Sequence, residues 1–253
     1  MIRVLKLGGR AQNAPALVKA IASAWTLRPR ELCVVHGGGD EISALQRALG
    51  IEPSFVGGRR VTTERDLDLV RMVLSGAANK RLVSALLDAG VNAWGISGED
   101  GGILAAEPLP AEFGYAGRPT SVDAAPLRIM LEHGYLPVIS PMARNATGSG
   151  ALNVNGDDAA AAIAAALGAS ELVFVSDVGG VSDAAGGVVR HITADDAREL
   201  IASGAASGGM AAKLEAAAHA LAAGVGRVRI ADVSAIGDPD AGTTISAARE
   251  ALV

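Results

Sequence analysis

The sequence predicts an α/β fold built on a mostly parallel sheet. Short runs of β-branched and aliphatic residues alternate along the chain with stretches whose apolar residues recur at helical spacing, and three of the runs end in glycine clusters. Bulk is the further observation. The 253 residues are 50% hydrophobic and 19% charged, enough for one large core or two lobes.

Strands are expected at 2–7 (IRVLKL), 31–36 (ELCVVH), 91–96 (VNAWGI), 135–140 (YLPVIS), 171–176 (ELVFVS) and 226–231 (GRVRIA), each bounded by glycine or polar residues. Helices fit between them. Ile42, Leu45 and Leu49 follow the glycines at 37–39 with Gly50 as a stop, and AANKRLVSALLDAG (77–90) and GMAAKLEAAAHALAAG (209–224) also end in glycine. Strand alternating with helix implies βαβ units. The stretch 101–123 carries Pro108, Pro110, Pro119 and four glycines without helical period, and reads as a small hairpin or lid beside the sheet. The chain is expected to be a single domain, 1–253, in which the glycine-rich stretch 144–156 divides an N-terminal lobe of about 1–150 from a C-terminal lobe of about 151–253.

A formal charge of −5 without a long Lys/Arg run argues against a nucleic-acid surface. Cys33, the single cysteine, sits inside LCVV, so no internal disulfide can form and core packing in a reduced compartment is expected. No stretch approaches the about 18 continuous apolar residues of a membrane span, and Met1 leads directly into IRVLKL without a signal-peptide pattern. A cytoplasmic location is the expectation. The Ala-rich segment 159–169 reads as an ordinary helix.

The glycine clusters KLGG (6–9), HGGG (36–39) and SDVGGV (176–181) follow predicted strands, where an open α/β sheet places its ligands. Glycine lets the backbone approach an anion, and free N–H groups there bind phosphate oxygens; any one cluster alone reads equally as a tight turn, but three at strand ends favour a ligand. Neither G-x-x-x-x-G-K-[ST] nor a helix-opening G-x-G-x-x-G with its acidic partner is present, which argues against a P-loop enzyme and a Rossmann dehydrogenase. Lys6, at a strand end beside glycine donors, suits charge neutralisation on a transferring phosphoryl group. Lys213, after SGGM, suits the same task, although a solvated helix face is the commoner place for a lysine. LNVNGDDAA (152–160) holds more Asn and Asp than a helix cap needs. In GGRRVT (57–62), Arg59 and Arg60 fit a carboxylate grip or a surface turn equally well. His36, His133, His191 and His219 form no metal-binding spacing, so no protein metal site is expected; the absence of G-x-S-x-G weakens a serine hydrolase reading.

Taken together, KLGG, VVHGGG, GGRRVT, GAANK, GISGEDGG, GYLPVIS, LNVNGDDAA, SDVGGV and GGMAAK, in that order over residues 2–231, resemble the amino acid kinase superfamily, and within it the acetylglutamate kinases. The resemblance implies a three-layer α/β/α sandwich, a substrate lobe followed by a nucleotide lobe, and ATP-dependent phosphorylation of the γ-carboxylate of N-acetyl-L-glutamate in arginine biosynthesis, with Mg2+ held mainly by the nucleotide. It assigns phosphoryl stabilisation to Lys6 and Lys213 and their orientation to Asp157. Gly9 and Gly38 would donate to phosphate, Gly38 and Gly39 line the substrate, Arg60 hold its α-carboxylate and Asn153 sit near its acylated amine. Asp177, Val178, Gly179 and Gly180, with Ser207, Gly209 and Met210, would meet the nucleotide. Arginine-inhibited members of the resembling group carry an extra N-terminal helix that joins dimers into a ring; with the first strand at residue 2, a homodimer indifferent to arginine is expected. Two alternatives share these residues: a kinase of a carrier-bound or N-succinylated glutamate or aminoadipate, and a non-catalytic ligand sensor on the same fold.

Overall fold

A computed structural model of the chain describes residues 1–9, 11–183 and 185–247. In chain order the strands and helices are β1 (Arg3–Leu7), α1 (Leu17–Leu27), β2 (Leu32–His36), α2 (Gly39–Ala48), β3 (Phe55–Val56), β4 (Arg59–Arg60), α3 (Glu64–Arg71), α4 (Asn79–Asp88), β5 (Ala93–Ser97), β6 (Leu104–Pro108) and β7 (Ala116–Val122). They continue as α5 (Ala125–Glu132), β8 (Leu136–Ser140), β9 (Met142–Asn145), β10 (Ala151–Val154), α6 (Gly156–Leu167), β11 (Glu171–Val175), β12 (His191–Thr193), α7 (Ala194–Ala202), α8 (Gly208–Ala222), β13 (Arg227–Ala231) and β14 (Thr243–Ser246).

Among the described residues eight strands form one sheet in the order β12-β14-β13-β11-β1-β2-β8-β5. The six strands expected from the sequence occupy its run from β13 to β5 and are parallel throughout. β14 runs antiparallel to β13 and carries β12 with it, a two-strand margin the sequence reading did not contain. Parallel strands are covered on both faces, and each strand's alternation divides its side chains between two layers. Leu5 and Leu7 of β1, Val34 of β2 and Val138 of β8 pack with Leu17, Ile21 and Trp25 of α1 and Leu82 and Leu86 of α4. Val4, Cys33, Val35, Ile139 and Phe174 pack on the opposite face with α6, α8 and Leu127 of α5. This is a three-layer α/β/α sandwich around a mostly parallel sheet.

The proline- and glycine-rich stretch 101–123 forms the antiparallel hairpin β6–β7. Its strands close with β9 and β10 into a four-stranded barrel at the sheet's flank, so the stretch 144–156 holds the β9–β10 turn and the start of α6. Between α3 and α4 the helix widens to a π-turn over Met72–Ala78. Leu74 of that turn stands where a Cβ on Gly38 would go, 2.8 Å away, so the widened turn packs directly onto the loop after β2.

Candidate active site

The polypeptide crosses the sheet in opposite senses on the two sides of β1: β2 lies on one flank and β11 on the other. Such a reversal opens a crevice at the carboxyl ends of the strands. The loops after β1 and β2 meet there. Gly37 N donates to Leu7 O at 3.0 Å, Gly8 N to Val175 O at 2.8 Å, and Gln12 Nε2 to Gly37 O at 2.8 Å.

Lys6 sits on the same face of β1 as Val4, pointing towards α6. Its ammonium lies 2.7 Å from the buried Asp157 Oδ1, a close ion pair. Lys213 Nζ of α8 reaches Asp157 Oδ2 at 3.5 Å and Gly209 O at 3.4 Å. Thus one carboxylate at the start of α6 holds two ammonium groups from a strand and a helix far apart in the chain. Asn155 sets its position: as N-cap of α6 its Oδ1 accepts from Asp157 N at 2.8 Å and Asp158 N at 3.4 Å. Gly156 eases the same approach, because a Cβ there would sit 3.1 Å from Lys6 Cε, a tight contact that the lysine would have to yield to.

Burial opposes ionisation of Asp157, yet the charges of Lys6 and Lys213 outweigh it and hold its carboxyl below the usual range. Lys213 moves the other way. Burial, reinforced by the like charge of Lys6, lowers its pKa despite the upward pull of Asp157 and Asp177. The ammonium is therefore a stronger acid than a solvated lysine and gains from a further anion nearby.

A cleft of about 190 Å³ lies beside this trio, lined by Lys6, Gly9, Gly37–39, Arg60, Asn153 and Asp157 among others. Arg60 lines the same cleft. The guanidinium donates to Gly39 O and Ser43 Oγ, each at 2.8 Å, and to Gln46 Oε1, and stacks over the Phe55 ring with its carbon 4.6 Å from the centroid. All these acceptors are neutral, and among the described residues no carboxylate bonds Arg60 directly; Asp66 acts one step away through Gln46 Nε2 at 2.7 Å. A buried guanidinium whose protein partners are all neutral keeps a charge that a carboxylate can answer. Asn153, which also lines the cleft, donates from Nδ2 to Thr62 Oγ1 at 2.9 Å.

The remaining candidates lie in the loop after β11 and at the start of α8. Asp177, Val178 and Gly179 form an exposed loop after β11. Gly180 instead turns inward, where a Cβ would lie 2.6 Å from both Thr243 Oγ1 and Val188 Cγ1. Ser207 is the extended N-cap residue of α8 without a side-chain capping bond, and Gly209 and Met210 follow in its first turn.

Sequence reasoning missed Asn155, Gln12 and the pair beneath the HGGG loop. His36 is wholly buried; its Nδ1 donates to Gly37 O at 2.9 Å while its Nε2 accepts from Asn79 Nδ2 at 3.1 Å. A carbonyl only accepts and an amide NH2 only donates, so these partners require the neutral ring. Burial pushes its pKa down to about 4, which keeps it so. The dipeptide HG following an apolar run was the available signal, but nothing local pairs it with Asn79.

Residues 1–232 match the amino acid kinase family. The chain is 44% identical over 251 residues to an acetylglutamate kinase of Roseiflexus sp. (strain RS-1), covering 98% of this chain and 94% of that one, and 43% identical over 240 residues to one of Chloroflexus aurantiacus, covering 94% of each. Among solved structures it is similar to smu.665 from Streptococcus mutans UA159, at 31% identity and a TM-score of 0.88 over 98% of this chain and 99% of that one. An N-acetylglutamate synthase from Neisseria gonorrhoeae, complexed with coenzyme A and N-acetyl-glutamate, is similar at 27% identity and a TM-score of 0.82 over 99% of this chain and 60% of that one. With a sandwich of this topology, a trio of Lys6, Asp157 and Lys213 at the sheet's switch point, and relatives of this similarity over nearly its whole length, the chain belongs to the amino acid kinase family.

Proposed function

We propose that the protein transfers the γ-phosphoryl group of ATP to the γ-carboxylate of N-acetyl-L-glutamate, forming an acyl phosphate and ADP in arginine biosynthesis. The observation that carries this reading is the placement of two ammonium groups on one buried carboxylate at a cleft that Arg60 also lines. A carboxylate substrate held by Arg60 at one end brings its other carboxylate towards Lys6. The acceptor is already ionised at pH 7, since its pKa is about 4.3, so no general base is needed. Its oxygen forms the new bond to the γ-phosphorus as the bond to the β–γ bridging oxygen breaks, and the electron pair leaves on ADP. The difficulty is bringing anions together, which charge placement overcomes.

In this reading Lys6 and Lys213 neutralise the transferring group and Asp157 keeps both turned towards it. Gly9 and Gly38 donate N–H groups to the phosphate, Gly38 and Gly39 line the substrate, and Asn153 meets the acylated amine. Asp177, Val178, Gly179, Gly180, Ser207, Gly209 and Met210 form the nucleotide side, with Gly180 acting through the shape of the loop. Magnesium would arrive on the nucleotide phosphates and supply further charge neutralisation; the described residues bring together no group of three His, Cys, Asp or Glu side chains able to hold it. The protein would work in the cytoplasm; among the described residues no helix is long and apolar enough to cross a membrane. Pairing into a homodimer would use the N-terminal half, where β5 ends the described sheet and Trp94, half-exposed, packs edge-on against Tyr135.

The test is ADP formation with N-acetyl-L-glutamate, N-succinyl-L-glutamate, L-glutamate and L-aminoadipate as separate acceptors, with the acyl phosphate trapped by hydroxylamine. Hydroxamate formation chiefly with N-acetyl-L-glutamate is expected. No hydroxamate with any acceptor overturns the kinase reading, and preference for another acceptor overturns its specificity.

A further inference from the structure

Arg60 and its neighbour Arg59 occupy the two-residue strand β4, whose side chains necessarily point to opposite sides. The turn before them, Gly57–Gly58, has φ of +55° and +78°, which an L side chain rarely adopts and which a tight two-residue hairpin requires. The hairpin β3–β4 borders the cleft through Phe55, Gly58, Arg59 and Arg60. Its tip rests on the first residue of α8: a Cβ on Gly58 would lie 3.3 Å from Gly208 O.

Arg59 ties the same hairpin to two helices at once. Its Nη2 donates to Asp158 Oδ2 of α6 at 3.0 Å and to Glu215 Oε2 of α8 at 3.1 Å. Asp158 directly follows Asp157, and Glu215 lies two residues beyond Lys213. The guanidinium therefore joins the element bearing the carboxylate receptor to both helices bearing the phosphoryl-side charges. It also compensates Asp158, a largely buried carboxylate next in sequence to Asp157.

We propose that Arg59 is a positioning residue that latches the β3–β4 hairpin across the cleft onto α6 and α8, so that capture of the acyl-amino acid by Arg60 and closure on the phosphoryl site are one event. The inference rests on the acetylglutamate kinase reading above. Freed of Arg59, the hairpin keeps its turn and Arg60 keeps its partners on α2, but the wall no longer holds a fixed distance from Lys6 and Lys213. Substrate affinity and alignment for transfer suffer together, while Ser207, Gly209 and Met210 at the start of α8, none of which Arg59 bonds directly, keep their place and nucleotide binding is largely spared.

The experiment compares Arg59→Ala, Arg59→Lys, Glu215→Gln and the double variant Arg59→Ala/Glu215→Gln with the parent protein, measuring kcat, KM for N-acetyl-L-glutamate, KM for ATP, and amide hydrogen exchange across residues 55–60. For Arg59→Ala we expect KM for the acyl-amino acid to rise about tenfold, kcat to fall and KM for ATP to change less than about twofold. Exchange in the hairpin should quicken without substrate. Arg59→Lys should recover part of the loss, because an ammonium can still reach one carboxylate. Glu215→Gln should have a smaller effect that is not additive with Arg59→Ala. An unchanged acyl-amino acid KM together with unchanged exchange in Arg59→Ala overturns the latch, as does full additivity in the double variant. A parent protein that does not turn over N-acetyl-L-glutamate overturns the underlying functional reading instead, and the exchange measurement then decides the latch by itself.

Discussion

Replacing Asp157 by asparagine removes the one charge that holds two others. The carboxylate lies 2.7 Å from Lys6 Nζ and 3.5 Å from Lys213 Nζ. At an effective dielectric of about 20 those separations correspond to gross attractions of about 6 and 5 kcal/mol. Desolvation of three buried charges offsets much of this, and breaking a buried pair typically costs about 3–5 kcal/mol. The amide side chain of Asp157→Asn would keep the volume and the start of α6, whose cap is the Asn155 side chain acting on backbone N–H groups, so the fold should survive. The two ammonium groups would then repel each other with no anion between them. Lys213, already an easier acid than a solvated lysine because of burial, would lose its largest upward pull and deprotonate at lower pH. Steady-state kinetics from pH 6 to 10 should show kcat reduced by about 100-fold or more with a smaller change in KM for ATP. The alkaline limb of the kcat profile should move to lower pH. A kcat within about twofold of the parent, or an unmoved alkaline limb, would refute the claim that Asp157 sets the charge and direction of the lysines.

Lys6→Ala and Lys213→Ala should each lower kcat far more than they weaken ATP binding, checked by comparing turnover with nucleotide affinity from calorimetry; near-normal turnover removes that lysine from the mechanism. Arg60→Ala should raise KM for N-acetyl-L-glutamate by about 10- to 100-fold, the loss of a charge-assisted contact, with KM for ATP little changed. Away from the cleft, Glu171 is buried, which opposes its ionisation, but Arg229, Arg3 and Arg227 outweigh burial and hold its carboxyl below the usual range. Its stabilising contribution is therefore complete above the unfolded carboxylate's pKa and lost as pH falls through the lower folded value. Glu171→Gln should cost about 3 kcal/mol at pH 7 and flatten the acid limb of a denaturant-midpoint profile; an acid limb of parental slope would assign the acid response elsewhere.

The six parallel strands are legible in the sequence, because a strand buried on both faces must be a short continuous apolar run, and each such run is visible locally. The helices at 39–48, 79–88 and 208–222 are legible too, through apolar spacing and terminal glycines. Lys6 and Asp157 stand out in their segments, a lysine in an apolar strand and an aspartate in excess of capping needs, whereas Lys213 by itself reads as a lysine on a solvated helix face. Their meeting is a tertiary property, since most of the substrate half of the chain separates Lys6 from Gly156, and only the order of strands in the sheet brings α6 and α8 over β1. The same holds for the margin β12–β14, whose three- and four-residue strands carry too little pattern to read alone. GGRRVT shows the limit most plainly. Its two arginines are locally equivalent in type and solvent preference, and a strand sends neighbours to opposite sides. Arg60 is buried against Phe55, Gln46 and Gly39, while Arg59 crosses to Asp158 and Glu215, because helices from distant parts of the chain flank that one two-residue strand.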